Sequence, residues 1–330
     1  MANADTTIVD EGESAWRRTA LSWLAACGGA LLLFFALLIV IDPYDSGRFP
    51  TFMPAGSPDE RPATIGISRG RDPRFNAVLF GSSRGVLADP RRISALTGFR
   101  FVEMAAEGAT VRDQMAMFRW FARHRPSIEA VVIATDQGWC DRDPALPGST
   151  DFPYGLYADS DLAYLKAAFS LASLSYAKQR IRYALGILPG VDRAGYFDME
   201  AKQDWSGSQW PTPAWHATAA QAVPVSLPSL KLLESHLTDV PAHAAMVFWM
   251  PPYFHDELPP PGTAEGLALA QCKMALREWA AHRPHTVFLD LATDAREAAD
   301  RANFLSPTHV SNRFMRLIEP RIAAAVNQAK

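Results

Sequence analysis

The stretch Asn76–Gly85 reads Asn-Ala-Val-Leu-Phe-Gly-Ser-Ser-Arg-Gly. Ala77–Phe80 is a short apolar run closed by an aromatic, the pattern of a strand buried on both faces. It passes directly into Gly81-Ser82-Ser83-Arg84-Gly85, where small residues flank a hydroxyl. A serine on such a turn is pushed out at the carboxyl end of the sheet, where open α/β sheets bind ligands. There a hydroxyl can be both exposed and activated as a nucleophile. Gly and Ser also make ordinary strand-to-helix loops, so the decision rests with the rest of the chain.

Downstream the pattern alternates. A helix is expected over Pro90–Leu96, stopped by Gly98, and a strand near Phe101–Met104. Val111, Met115, Phe118 and Ala122 fall at helical spacing, and Ala130–Ala134 is another buried strand. The alternation breaks at about 138–223, an insertion with a helical segment around Asp161–Leu185 and a loop carrying Trp205, Trp210 and Trp215. Aromatics in a polar loop either stack on sugar rings or pin the loop down. Strand Ala244–Met250, helix Ala264–Ala281, strand Thr286–Leu289 and helix Arg313–Asn327 complete the pattern. Apolar strands alternating with helices predict an α/β fold with a central parallel sheet covered on both faces.

Upstream, Thr19–Ile41 is an apolar run without a charge, long enough to cross a hydrocarbon core of ~30 Å as a helix. The run is too long for a signal-peptide core and no Ala-x-Ala site follows it, so it reads as a signal anchor. Arg17 and Arg18 precede it, which places residues 1–18 in the cytoplasm and the main domain outside it, in the periplasm if the cell is Gram-negative. Met1–Glu13 is polar and is expected to be a tail without fixed structure. Residues 42–74, with five prolines over Ser46–Arg74, read as a linker or an ordered strap before a domain at 75–330.

The composition excludes other classes. A net charge of −3 over 330 residues offers no basic field for nucleic acid. Cys27, Cys140 and Cys272 lie far apart with no zinc spacing, so neither metal nor cofactor is expected. Cys140 and Cys272 are expected as two buried thiols, pairing in an oxidising compartment being the alternative.

The polar residues that follow the strands are Ser82 and Ser83, the Glu107-Gly108-Ala109-Thr110 turn, Asp136 and Asp290, with His309 in the loop before the last helix. Ser83, His309 and the Gly108 amide could supply nucleophile, base and oxyanion donor. Together they resemble the SGNH (GDSL-type) hydrolase superfamily over about Phe75–Lys330. There a Gly-x-Ser follows the first strand, a glycine amide the second and an Asn the third, and an Asp-x-x-His precedes the last helix. The resemblance implies a three-layer fold, with Ser83 as nucleophile, the Ser83 and Gly108 amides as oxyanion donors, and His309 as base. The Gly-Ser-Ser form and the anchor are most similar to the superfamily's envelope branches. These imply an esterase or O-acyltransferase acting on an acylated glycan or small ester, with Arg84 and the three tryptophans at the substrate. Partners would be the membrane and other envelope polysaccharide-modifying proteins.

Two positions depart from that pattern. Residue 306 is Ser where the family has Asp, and Asp136 stands where an amide donor is expected. Asp136 is the expected acid for His309, with Asp290 and a bare Ser–His dyad as alternatives. A domain that has lost catalysis and binds glycan or scaffolds an envelope complex is the competing reading. The pentapeptide also fits the α/β-hydrolase elbow, but only a linker precedes Ala77, without room for that fold's earlier strands.

Overall fold

The computed structural model describes residues 4–58, 61–141, 143–146, 151–208, 210, 214–215, 226–292 and 296–330. The remaining parts of the expected 138–223 insertion and residues 1–3 of the expected tail lie outside the described residues.

Five strands form one parallel sheet: β1 (Ala77–Phe80), β2 (Phe101–Glu103), β3 (Ala130–Ala134), β4 (Ala245–Met250) and β5 (Thr286–Asp290), in the order β2-β1-β3-β4-β5. The first four are buried along their whole length, which is why they read as unbroken apolar runs rather than as alternating ones.

The two faces of the sheet are covered by different helices. Val78, Phe80, Val131, Ile133 and Phe248 pack toward α4 (Val111–Arg123), with Ile67 of α2 (Pro62–Arg71) and Leu276 of α11 (Ala264–Ala281) in the same core. Leu79, Val132 and Val247 pack on the other face with Ile93 of α3 (Pro90–Thr97) and Ile318 of α12 (Asn312–Ala329). The period-two alternation of a strand thus divides its residues between two cores. Short helices α5 (Gly138–Asp141), α6 (Tyr154–Tyr157), α9 (Met199–Lys202) and α10 (Pro228–Glu234), with α7 (Asp161–Ala168) and α8 (Leu171–Ala184), fill the interval between β3 and β4.

Strand order reverses at β1, which has β2 on one side and β3 on the other. Their carboxyl ends bound a crevice, the usual ligand position in sheets of this order. A two-stranded antiparallel hairpin follows the main sheet, β6 (Phe304–Ser306) and β7 (His309–Val310), pairing Ser306 with His309. The sequence pattern predicts a loop here, because strands of three and two residues carry no periodicity to detect.

Helix α1 covers Ala4–Ile41, so the segment expected to lack fixed structure is helical from Ala4. Its part Ala15–Ile41 is long and apolar enough to span a membrane. The next residues form a strap rather than a slack linker. Asp42 caps the turn through the Ser46 and Gly47 amides at 2.9 and 2.7 Å. Asp45 is fully buried and accepts from the Gly56 amide at 2.7 Å, Ser68 Oγ at 2.5 Å and Arg180 Nη2 at 2.9 Å. Arg180 is also fully buried, and removing one partner of such a pair costs about 3–5 kcal/mol. The joint therefore fastens α1 to α8 and α2.

Cys140 and Cys272 form a disulfide with Cα atoms 5.5 Å apart, inside the normal span for that bond. This corrects the expectation of two buried thiols. Spacing in sequence was silent here, because the two cysteines, 132 positions apart, are brought together only by the fold.

Candidate active site

The turn after β1 is shaped by its two glycines. A Cβ on Gly81 would lie 2.8 Å from Ala134 Cβ, and one on Gly85 would lie 3.0 Å from Gly81 Cα. The first is closer than real side chains approach, and the second fits only if the backbone at Gly81 gives way. The Gly85 amide closes the turn on the Ser82 carbonyl at 2.8 Å, and α3 begins only at Pro90. Ser83 therefore sits half-exposed on an irregular turn at the crevice, not on the first turn of a helix.

His309 Nε2 lies 2.8 Å from Ser83 Oγ. Its other nitrogen, Nδ1, faces Ser306 Oγ at 2.7 Å and Thr308 Oγ1 at 3.2 Å. With the proton on Nδ1, the ring donates to Ser306 and accepts the Ser83 hydroxyl. That is the tautomer a general base requires. The β6–β7 pairing of Ser306 with His309 sets this geometry, and the Phe254 amide holds the hairpin turn through the Pro307 carbonyl at 2.8 Å.

The acid expected for His309 is elsewhere. Asp136 Oδ2 takes Arg84 Nη2 at 2.7 Å, and no carboxylate faces His309 Nδ1 among the described residues. Asp136 thus holds Arg84 across the crevice between β1 and β3. The alternative, Asp290, pairs with Lys273 Nζ at 3.2 Å on α11, three strands from β1. A residue from the end of a strand is committed to whichever neighbour comes first, and both carboxylates meet a cation before they reach the imidazole.

Arg84 is buried, and its guanidinium carbon lies 4.7 Å from the Tyr253 ring centre. Its Nη1 is buried without a well-formed hydrogen bond among the described residues. Tyr253, from the segment after β4, is a site residue the sequence reading missed. Collecting polar residues after every strand finds it, three positions beyond the end of β4. Burial, ahead of the neighbouring charges, pushes the Tyr253 phenol up.

Gly108 adopts φ +66 in the loop after β2. That loop is tied to the Gly81–Gly85 turn, the Ala106 amide donating to the Gly81 carbonyl at 3.1 Å. A capping box of Thr110 and Asp113 fixes its far end. Among the described residues, neither the Ser83 nor the Gly108 amide donates to another protein group. Of the three tryptophans, Trp205 lies with its ring 5.4 Å from that of His309. Trp210 packs edge-on against Phe254 at 5.1 Å beneath the Arg301 guanidinium, so it fastens its loop. Trp215 is half-buried.

No family model and no curated protein matches this sequence. The chemistry of the site therefore rests on its own geometry.

The His309 pKa is lowered from 6.5 to about 4, first by burial and then by the charge of Arg84. The ring stays neutral, and so able to accept a proton, down to that range. The acid limb of kcat/KM for an ester is therefore expected near pH 4; a limb near the ordinary histidine value would overturn His309 as the base. Stability moves in the same direction. The unfolded chain binds the histidine proton near 6.5 and the folded chain only near 4. Between those values the unfolded state holds more protons, so stability falls as pH drops through the window.

Proposed function

We propose that the chain is a membrane-anchored serine esterase or O-acyltransferase of the SGNH type, working outside the cytoplasm on acyl groups of an envelope glycan or a smaller ester. One observation carries the reading: the 2.8 Å contact of Ser83 Oγ with His309 Nε2 at the point where strand order reverses. As Ser83 attacks the acyl carbonyl, its proton passes to His309 Nε2. The tetrahedral oxyanion takes the Ser83 and Gly108 N–H groups. Collapse expels the alcohol with the proton from His309 and leaves an acyl-enzyme. Water or a sugar hydroxyl then repeats the steps in reverse. The disulfide supports an oxidising compartment, and Arg17 and Arg18 before the apolar helix support that orientation.

A fluorophosphonate probe tests the nucleophile. The expected product is one adduct on Ser83, absent from Ser83→Ala; equal labelling of both proteins ends the assignment.

A second reading draws on a specific observation, the hydroxyls where a carboxylate would stabilise the imidazolium. On it the domain binds glycan or scaffolds other envelope polysaccharide-modifying proteins without catalysis. Ser306→Asp separates the two. A carboxylate replacing the hydroxyl that now faces Nδ1 raises the histidine pKa by ~1–3 units. A catalytic His309 then shows its acid limb moved up in pH by at least a unit, with a faster rate at neutral pH. A binding domain shows no ester turnover in either form.

A further inference from the structure

Helix α8 turns polar residues inward and leucines outward. Ser173, Tyr176 and Arg180 are buried, whereas Leu171, Leu174, Ile181 and Leu185 are exposed. The exposed four follow one helical stripe. Leu171 is 85% exposed and Leu185 69%. Lys178 and Arg182 share that face toward its carboxyl half, so the apolar exposure is concentrated at Leu171 and Leu174. Exposed leucines of this kind mark a surface made for another medium or partner.

Its position is set by α1. Phe169, immediately before α8, stacks on Phe35 with ring centres 4.2 Å apart and meets Phe34 edge-on at 5.1 Å. Eleven residues later Arg180 reaches the Asp42 carbonyl and Asp45, just beyond the end of α1. Helix α8 therefore climbs beside the last two turns of α1, in the same direction.

The depth of that contact follows from length. A hydrocarbon core of ~30 Å takes about 20 helical residues. Arg18 bounds the apolar run, so the earliest complete span, counted at that length, ends near Leu38. Phe34 and Phe35 then lie about 5 Å or more inside its outer edge at 1.5 Å per residue. Tilting the helix lengthens the span and takes them deeper. Phe169 must share their depth.

We infer that the corner between α7 and α8 is set into the phospholipid leaflet on the side of the main domain, its tip around Phe169–Leu174 among the acyl chains. This rests on reading α1 as a membrane span. The groove between α1 and α8, about 320 Å³ and lined by Phe34, Leu38, Leu174 and Ile181, is apolar and continuous with the lipid-facing side of α1. Lys178 and Arg182 edge the same groove nearer the end of α1, where long cationic side chains reach phosphate head groups. The domain is thus held by two elements, which fixes its orientation above the bilayer.

The test uses the full chain in phospholipid nanodiscs, with Cys27→Ser and the disulfide intact. A nitroxide is placed at Leu171→Cys, and at Leu33→Cys within α1 as the reference. Collisions with oxygen, which partitions into lipid, are compared with those of a water-soluble nickel chelate. The expected result is several-fold oxygen excess at both positions. Nickel excess at 171 with oxygen excess at 33 overturns the insertion of the α7–α8 corner alone. Weak collision with both reagents at 171 also overturns it, showing that protein, such as a second copy, covers the stripe. Nickel excess at both positions removes the membrane span and the insertion with it. Leu171 is exposed, so the label does not disturb folding.

Discussion

Ser83→Ala and His309→Ala are each expected to lower kcat/KM for a susceptible ester by about four decades or more, equivalent to roughly 5.5 kcal/mol of transition-state stabilisation. The two side chains act as one unit through the 2.8 Å contact. The double variant should therefore fall little below the worse single variant, because a base without a nucleophile, or the reverse, does nothing alone. Residual activity would come from the Ser83 and Gly108 amides and from substrate binding, which alanine at 83 leaves in place. Additive losses would show that the two residues act separately. A loss under tenfold at either position would remove the acyl-enzyme mechanism and favour the binding reading.

Removing the disulfide is the second large effect. With Cys140 and Cys272 separated by 132 positions, the chain-entropy account assigns the bond about 4–5 kcal/mol. Replacing both cysteines by serine should lower the unfolding free energy by about that amount, measured by denaturant titration of the detergent-solubilised chain. The bond also bears on the site. Cys140 lies in α5, whose first turn is closed by the Trp139 amide on the Asp136 carbonyl at 3.0 Å. The bond therefore pins the segment that carries Asp136, and through it Arg84. A loss below 1 kcal/mol, or two free thiols titrating in protein isolated from its native compartment, would overturn the account and remove the support for an oxidising location.

Much of the fold could be read from local pattern. The apolar runs at Ala77–Phe80 and Ala130–Ala134 and the helix Val111–Arg123 coincide with their observed bounds. Burial on both faces imposes a continuous apolar run on a strand, and a single covered face imposes the helical period, so both leave a mark on the sequence. The hairpin that carries His309 left none, being too short for any period. The insertion after β3 was visible as a break in the alternation with a helical segment around Asp161–Leu185, where α7 and α8 lie, but their packing depends on α1, more than a hundred residues earlier.

The sequence by itself determined the parallel α/β sheet, the apolar N-terminal helix and the small-residue turn around Ser83, because each depends on residues adjacent in the chain. Only the tertiary structure decided which side chains meet. It put Ser306 rather than Asp136 at His309, gave Asp136 to Arg84 and Asp290 to Lys273, and joined Cys140 to Cys272. Charge pairing and disulfide geometry act over a few ångströms between segments far apart in sequence. Such distances are set by how helices pack on the sheet, and no local pattern encodes them.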